Sequence, residues 1–398
     1  MNRRYYPWLV VALLWIVVTV NYTDRQVVYS VFPLIKSDLK LSDFQLGLLS
    51  AAFIWVYGLV SPVAGYLADR WGYARAIIVS LFVWSAVTWL TGQAHSFHSL
   101  FSIRAAMGLS EACYLPAALA LIAELHHGRS VSLATGVHQS GIYAGIVVGG
   151  LGGGWVGQHY GWRLGFTALG IFGVCYAFAL VPVLAKAPSH RAKSRATPNF
   201  FSTLKELLAI RGFPSVVVAF SAFSIANWVA YTWLPVYFYE HFSVNLAVAG
   251  FSATFYLQLA SVIGVVAGGW LADRWMRRRK RARLLIQAIG ALAASPCLFW
   301  AGFTSSEIVL VLNLIMFGLG KGFYDANTMP VLCQIARSEI RATGYGIMNF
   351  AGCIVGGTAA AAAGLVKHTF GIGAVFEIAG ALLLAAMVLL LRIRPTEE

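Results

Sequence analysis

The sequence predicts an all-α membrane protein with twelve transmembrane helices in two pseudo-symmetric six-helix bundles and both termini cytoplasmic. Three observations predict it. Apolar residues make up 59% of the 398-residue chain and charged residues 11%, under half the charge density of a soluble domain. The apolar residues gather in runs of about twenty, the length that crosses a bilayer as a helix. A seven-residue segment also recurs about half a chain later.

Spans are expected at 7–35, 44–68, 76–94, 100–123, 131–157 and 163–185, then at 213–239, 246–271, 283–303, 307–332, 342–366 and 372–391. Under that assignment 22 of the 29 Lys and Arg share the side of the termini. They are Arg3, Arg4, Arg70, Arg75 and Arg129, six from Lys186 to Arg211, seven from Arg274 to Arg283, then Arg337, Arg341, Arg392 and Arg394. Four lie opposite: Lys36, Lys40, Arg163 and Lys367. Excess cation marks the cytoplasmic side, and one misplaced span would scramble the bias. The net charge of +14 is thus a topology signal rather than a nucleic-acid footprint.

Arg3 and Arg4 before an apolar run have the outline of a leader peptide. The run is too long for one, has no small-residue cleavage site and contains Asp24-Arg25, so it is read as the first span. The five cysteines, Cys113, Cys175, Cys297, Cys333 and Cys353, fall inside expected spans without CxxC or Cys/His spacing. They read as packing residues rather than a disulfide framework or metal centre. No cofactor or metal is expected, and no nucleophile–base set points to an enzyme.

The longest connection, 186–212, is expected to be a cytoplasmic linker between bundles at 1–185 and 213–398. In it Phe200, Phe201, Leu204, Leu207 and Leu208 recur at helical spacing beside Lys205 and Arg211. A short helix on the membrane surface and an unstructured linker both fit. The repeat pairs Gly65-Tyr-Leu-Ala-Asp69-Arg70-Trp71 with Gly269-Trp-Leu-Ala-Asp273-Arg274-Trp275, each where a span meets a cytoplasmic loop. Repeated halves imply a pseudo-two-fold axis with a cavity between them. Gly allows close helix approach, Asp suits the N-terminus of the next helix, and Arg can reach a partner. Asp69, Arg70, Arg75, Asp273 and Arg274 are therefore candidate gating residues.

Gly65-x-x-x-Asp69-Arg70-x-Gly72-x-x-Arg75 resembles the loop signature of the major facilitator superfamily, and Arg104-x-x-x-Gly108 resembles its second signature. The resemblance covers nearly the whole chain and implies that family's fold. Asn21-Tyr22-x-Asp24-Arg25, Tyr57, and Arg104-x-x-x-Gly108-x-x-Glu111-Ala112 with Pro116 are similar to the anion:cation symporter group. That resemblance implies carriage of organic anions such as sugar acids, usually with protons. Spinster-type lipid transporters share similar versions. Two places depart from the symporter pattern: Gly352-Cys353 stand where its span 11 has Asn, with Asn349 nearby, and Lys321 in span 10 is not part of it.

Six ionisable residues fall within spans: Asp24, Arg25, Arg104, Glu111, Lys321 and Asp325. Unpaired at a helix centre, each would cost about 2.5–3.5 kcal/mol, so they must be paired, hydrated or facing a cavity. Arg104 and Glu111 are seven apart and share a face two turns apart, with Gly108 keeping that face open. Asp24 and Arg25 diverge by about 100°, and Lys321 and Asp325, four apart, can touch. In the functional reading Arg25 and Arg104 bind the substrate's carboxylate, to which a guanidinium fork is matched. Asp24 and Glu111 then carry protons, because a buried carboxylate that loses its Arg partner takes a proton more readily. In the structural reading the same residues are ion pairs that hold the bundle. Lys321–Asp325 fits both equally.

Tyr22, Tyr57, His138, Gln139, Asn227, Trp228, Tyr324, Asn327 and Asn349 could donate hydrogen bonds or stack on a sugar-like ligand, or serve as interhelical contacts. His138 is either a proton relay or a satisfied packing histidine. Gly136 to Gly157 hold nine glycines, which suits close crossing rather than a nucleotide loop, since no Lys-Ser/Thr follows. That stretch lacks the Pro usual in drug exporters of the superfamily. The expected activity is proton-coupled symport of a small organic anion, a sugar acid or other carboxylate, by alternating access in a bacterial inner membrane. Its expected partners are that anion, protons and membrane lipids, with the chain a monomer. The alternatives are a lysolipid or amphiphile transporter and an anion exchanger without proton coupling.

Overall fold

The computed structural model describes residues 5–126, 130–187, 200–210, 212–279, 281–337 and 340–392. Every regular element among them is helical. Spans one to six correspond to α1 (Tyr6–Ser30) with α2 (Phe32–Leu39), α3 (Asp43–Trp71), α4 (Tyr73–Thr91), α5 (Phe97–Glu111) with α6 (Tyr114–Leu125), α7 (Ser130–Tyr160) and α8 (Trp162–Leu184). A linker helix, α9 (Phe200–Ala209), follows. Then come α10 (Phe213–His241), α11 (Leu246–Met276), α12 (Ala282–Ala301), α13 (Glu307–Ile335), α14 (Arg341–Phe370) and α15 (Ile372–Arg392).

Ten of these stretches, among the described residues and with α5 and α6 taken as one, are long and apolar enough to cross a membrane. The two others in the twelve-span reading are α7, whose nine glycines dilute its hydropathy, and α15, whose described apolar part is Ile372–Ala385.

Two expected spans are each broken once, and proline explains both breaks. Pro33 in the first turn of α2 has no N–H for the Tyr29 carbonyl, and Pro116 in the first turn of α6 has none for Ala112. The first break follows six residues after Asp24-Arg25. The second follows Glu111 directly.

The chain divides into two compact units, Met1–Arg195 with Val244–Phe251, and Ala196–Ser243 with Ser252–Glu398. In the first, α1 packs on α7, α4 on α8 and α3 on α5; in the second, α10 packs on α14 and α12 on α15. The same span pairs, first with fifth and third with sixth, recur in both. Lipid gives no hydrophobic reward for helix association, so small residues must provide close contact. Gly141, Gly145, Gly149 and Gly153 form that seam on α7. A Cβ at Gly145 would lie 2.4 Å from the Thr19 carbonyl of α1. The core of this unit is built from Val10, Leu14, Val18, Trp84, Tyr114 and Leu121, among others. Large apolar side chains such as Val266, Ile308 and Phe178 stay exposed, as a lipid-facing surface requires.

The linker segment at 200–209 is a helix, and its apolar face is partly used by protein. Leu207 is buried beside Gly344 and Phe213, with α10 and α14 as neighbours, while Leu208 is exposed. Glu206 pairs with Arg337. In the first unit, Asp38 accepts hydrogen bonds from Arg163 (2.5 Å) and the Trp162 indole (3.2 Å), and Arg163 also donates to the Ala94 carbonyl. The hydrogen bond from Arg163 holds the Asp38 carboxyl below the usual carboxylate range.

Candidate functional site

The first unit brings four charged side chains of α1 and α5 into its interior. Gly108 makes this possible: a Cβ there would sit 2.5 Å from the Phe53 carbonyl and 2.9 Å from the Tyr57 nitrogen. With no side chain at 108, α5 lies directly on α3, and Phe53 and Tyr57 come alongside the charges.

Arg25 Nε donates to Glu111 Oε2 at 2.5 Å, with both groups buried. Arg104, which shares a face of the same helix with Glu111, is not its partner. Seven residues keep two side chains on one face but separate them by about 10.5 Å along the axis, so Glu111 pairs across to α1 instead. The Arg25 guanidinium also lies 4.6 Å from the Tyr22 ring centroid, 4.8 Å from Phe53 and 4.7 Å from Tyr57. Three aromatic faces thus enclose the cation, each worth up to about 2 kcal/mol when desolvated.

Arg104 is fully buried, with its guanidinium also 4.8 Å from the Phe53 ring centroid. It donates to Met107 Sδ at 3.0 Å and to the Leu49 carbonyl at 3.5 Å, and its Nη2 has no hydrogen-bond partner among the described residues. Asp24 turns from Arg25 to α4, where Thr88 Oγ1 donates to Oδ2 at 3.1 Å. Asp24 Oδ1 and Glu111 Oε1 likewise lack a partner among the described residues. An unsatisfied buried polar atom costs about 1–3 kcal/mol, and three converge on this cluster. Gln139, half-buried on α7, has Oε1 in the same condition.

In the second unit Lys321 Nζ contacts Asp325 at 2.5 Å, the approach their spacing permits. Lys321 is buried and the Asp325 side chain half-exposed. Asn327 is buried and donates to the Phe323 carbonyl of its own helix at 3.0 Å. Asn349 is half-buried, with Cys353 Sγ at 4.0 Å. Tyr324 lies flat on Phe223, with centroids 4.1 Å apart at an interplanar angle of 1°, and Gln287 braces its carbonyl from α12. A groove of about 390 Å³ between α10, α14 and α15 is lined by Ile225, Val229, Val355, Ala359 and Leu382, with Thr358 its one polar residue. Nothing in that lining would hold an anion.

Among the gating candidates, Asp273 is exposed and accepts from Arg283 at 3.4 Å, a side chain rather than the backbone of α12. Arg274 lies 5.6 Å from the Trp270 ring, and Arg75 is exposed in the first turn of α4. The side chains of Asp69 and Arg70 lie outside the described set. Residues the sequence reading passed over are Phe53, Thr88, Met107, Phe223 and Gln258, which is buried on α11 with neither amide atom partnered among the described residues. Gln258, alone in an apolar run, was the one with a legible signal.

Comparison with known proteins agrees with this architecture. The chain is 25% identical over 378 residues to the probable galactarate/D-glucarate transporter GarP of Escherichia coli K12, spanning 87% of this chain and 84% of that one. It is 25% identical over 396 residues to the probable galactarate/D-glucarate transporter GudP of Bacillus subtilis, with 92% and 86% covered. Among solved structures, a bacterial homolog of the human lysosomal transporter Spinster, inward-facing and unoccupied, matches with a TM-score of 0.79 at 21% identity over 97% of this chain and 95% of that one. The family model described as Major Facilitator Superfamily matches residues 14–360, so this multi-pass membrane chain belongs to the major facilitator superfamily.

Proposed function

We propose that the protein is a proton-coupled symporter for a sugar acid or similar small carboxylate, with twelve spans and both termini cytoplasmic in a bacterial inner membrane, working by alternating access. The domain limits proposed are bundles at 1–185 and 213–398 joined by the linker 186–212, with the chain acting as a monomer. The observation that carries this reading is the Arg25–Glu111 pair, buried beside Arg104 and Asp24, which each keep an unpartnered polar atom among the described residues. A substrate carboxylate that takes the Arg25 fork leaves Glu111 buried without its cation. A lone buried carboxylate is costly, so Glu111 takes a proton as the anion binds. Anion and proton then move together. Asp24, held by Thr88, is the second carboxylate of the same cluster, and Arg104, Tyr22, Tyr57 and Gln139 complete the substrate-facing set in this unit. Lys321, Asp325, Asn327 and Asn349 are the candidates in the other. The names of the sugar-acid relatives support the substrate class.

The test is uptake of D-glucarate into proteoliposomes under an inward proton gradient. Glu111→Gln is expected to lower gradient-driven uptake by roughly a hundredfold while counterflow, which needs no net proton movement, is retained. Driven uptake equal to wild type removes Glu111 from the coupling. A second reading, transport of a lysolipid or other amphiphile, draws support from the apolar groove between α10, α14 and α15 and the Spinster-like fold. An anion exchanger without proton coupling would show counterflow with no pH dependence.

A further inference from the structure

His138 lies eight residues into α7, about 12 Å along the axis from Ser130, and is fully buried. Its Nε2 is 2.9 Å from the Tyr114 hydroxyl, and the same hydroxyl is 2.9 Å from the Leu14 carbonyl. A phenol has one proton and a carbonyl can only accept. Tyr114 therefore donates to Leu14 and must accept from His138, which keeps the imidazole proton on Nε2. Nδ1 is then a bare acceptor, buried and without a hydrogen-bond partner among the described residues. A buried acceptor left unpaired is costly, and here it sits on an imidazole, whose bare ring nitrogen can take up and release a proton.

The surroundings connect this side chain to the charged cluster. Tyr114 of α6 bonds His138 directly and reaches Leu14 of α1 through the same hydroxyl. Trp84 of α4 stands edge-on to Tyr114 at 5.4 Å, and Tyr22 of α1 and Tyr176 of α8 pack on the same cluster. Tyr22 also carries the Arg25 guanidinium, which pairs with Glu111. Along α4, Trp84 Nε1 and Ser85 Oγ are buried without partners among the described residues, and Thr88, one turn on from Trp84, holds Asp24. Two unpartnered polar atoms of α4 thus lie within about one turn of Thr88, which holds Asp24, on the helix whose Trp84 packs on Tyr114.

Resting on the proton-coupled reading above, we propose that His138 is a proton-transfer residue for the Asp24–Glu111 cluster. Nδ1 takes a proton from water that leads from the carboxylates and returns it to water at the Ser130 end of α7, the side of Arg129. No bond other than N–H and O–H forms or breaks. Tyr114 is a positioning residue that sets the tautomer.

The experiment compares wild type, His138→Gln and Tyr114→Phe in proteoliposomes with D-glucarate. Gln can still donate to Tyr114 but cannot accept a proton, so a merely structural role predicts near-normal driven uptake in His138→Gln. The relay predicts driven uptake lowered by roughly a hundredfold with counterflow retained, and an altered pH profile in Tyr114→Phe. Driven uptake in His138→Gln equal to wild type overturns the relay. Wild type that exchanges glucarate but ignores the proton gradient instead overturns the coupling on which it rests, and with it the relay. A readout independent of substrate is the ¹⁵N spectrum of histidine-labelled protein, with His138 assigned by its loss in His138→Gln. A proton on Nε2 is expected, and a proton on Nδ1 overturns the assignment even where no glucarate is carried.

Discussion

At the scale of single residues, the buried Arg25–Glu111 contact is the one on which the proposed coupling rests. Two charges out of water repay their desolvation only through each other. Arg25→Ala is therefore expected to destabilise by about 3–5 kcal/mol, because it strands a buried carboxylate. Adding Glu111→Gln removes the stranded charge and should restore most of that loss, as read by thermal unfolding of the purified protein. A double variant melting no higher than Arg25→Ala would show that something other than the pair had been broken. That these residues matter was legible from charge in an apolar run. Who pairs with whom was not. Phe53, which lies under both guanidinium groups, reads in sequence as one more apolar residue.

At the scale of helices, glycine sets the approach and proline the breaks. A Cβ at Gly108 meets α3 backbone at 2.5 Å, whereas one at Gly152 meets nothing within 4 Å. Gly108→Val is expected to cost about 1–3 kcal/mol by overpacking and to abolish transport by shifting Phe53 and Tyr57. Gly152→Ala should be neutral or slightly stabilising, since Ala is the better helix former. Equal melting temperatures for both variants would refute the close crossing. The Asp38–Arg163 tie between α2 and α8 makes a smaller, pH-dependent contribution. Because the folded carboxyl is held low, the stabilisation is present above the ordinary carboxylate range and lost as pH falls through the depressed value. The Asp38 side chain is 42% exposed, so solvent screening limits the effect to below about 1 kcal/mol. The melting difference between wild type and Asp38→Asn should be small at neutral pH and vanish in acid; a difference that persists in acid removes the pair as its source.

At the scale of the whole molecule, the question is which cargo the fold carries. The first unit offers a buried guanidinium with an unpartnered nitrogen among the described residues, while the second offers an apolar groove. Arg104→Ala distinguishes them: glucarate transport should fall by at least tenfold with loss of a charge-assisted hydrogen bond worth about 1.5–3 kcal/mol, whereas lysolipid transport should be untouched. Lysolipid transport lost with Arg104→Ala, and glucarate transport intact, would reverse the assignment of cargo.

Periodicity, charge asymmetry and the repeated Gly-x-x-x-Asp-Arg segment were enough to read an all-helical membrane protein of this superfamily. These are signals written along one dimension: apolar length, the side on which cations fall, and recurrence. The broken first and fourth spans were half-written, in Pro33 and Pro116. What only the tertiary structure decided is which helix supplies each charge with its partner. Helical geometry puts Arg104 and Glu111 on one face but too far apart to meet, and the nearer guanidinium comes from α1, 86 residues away in sequence. Depth in the bundle, not spacing in the chain, chose the pair.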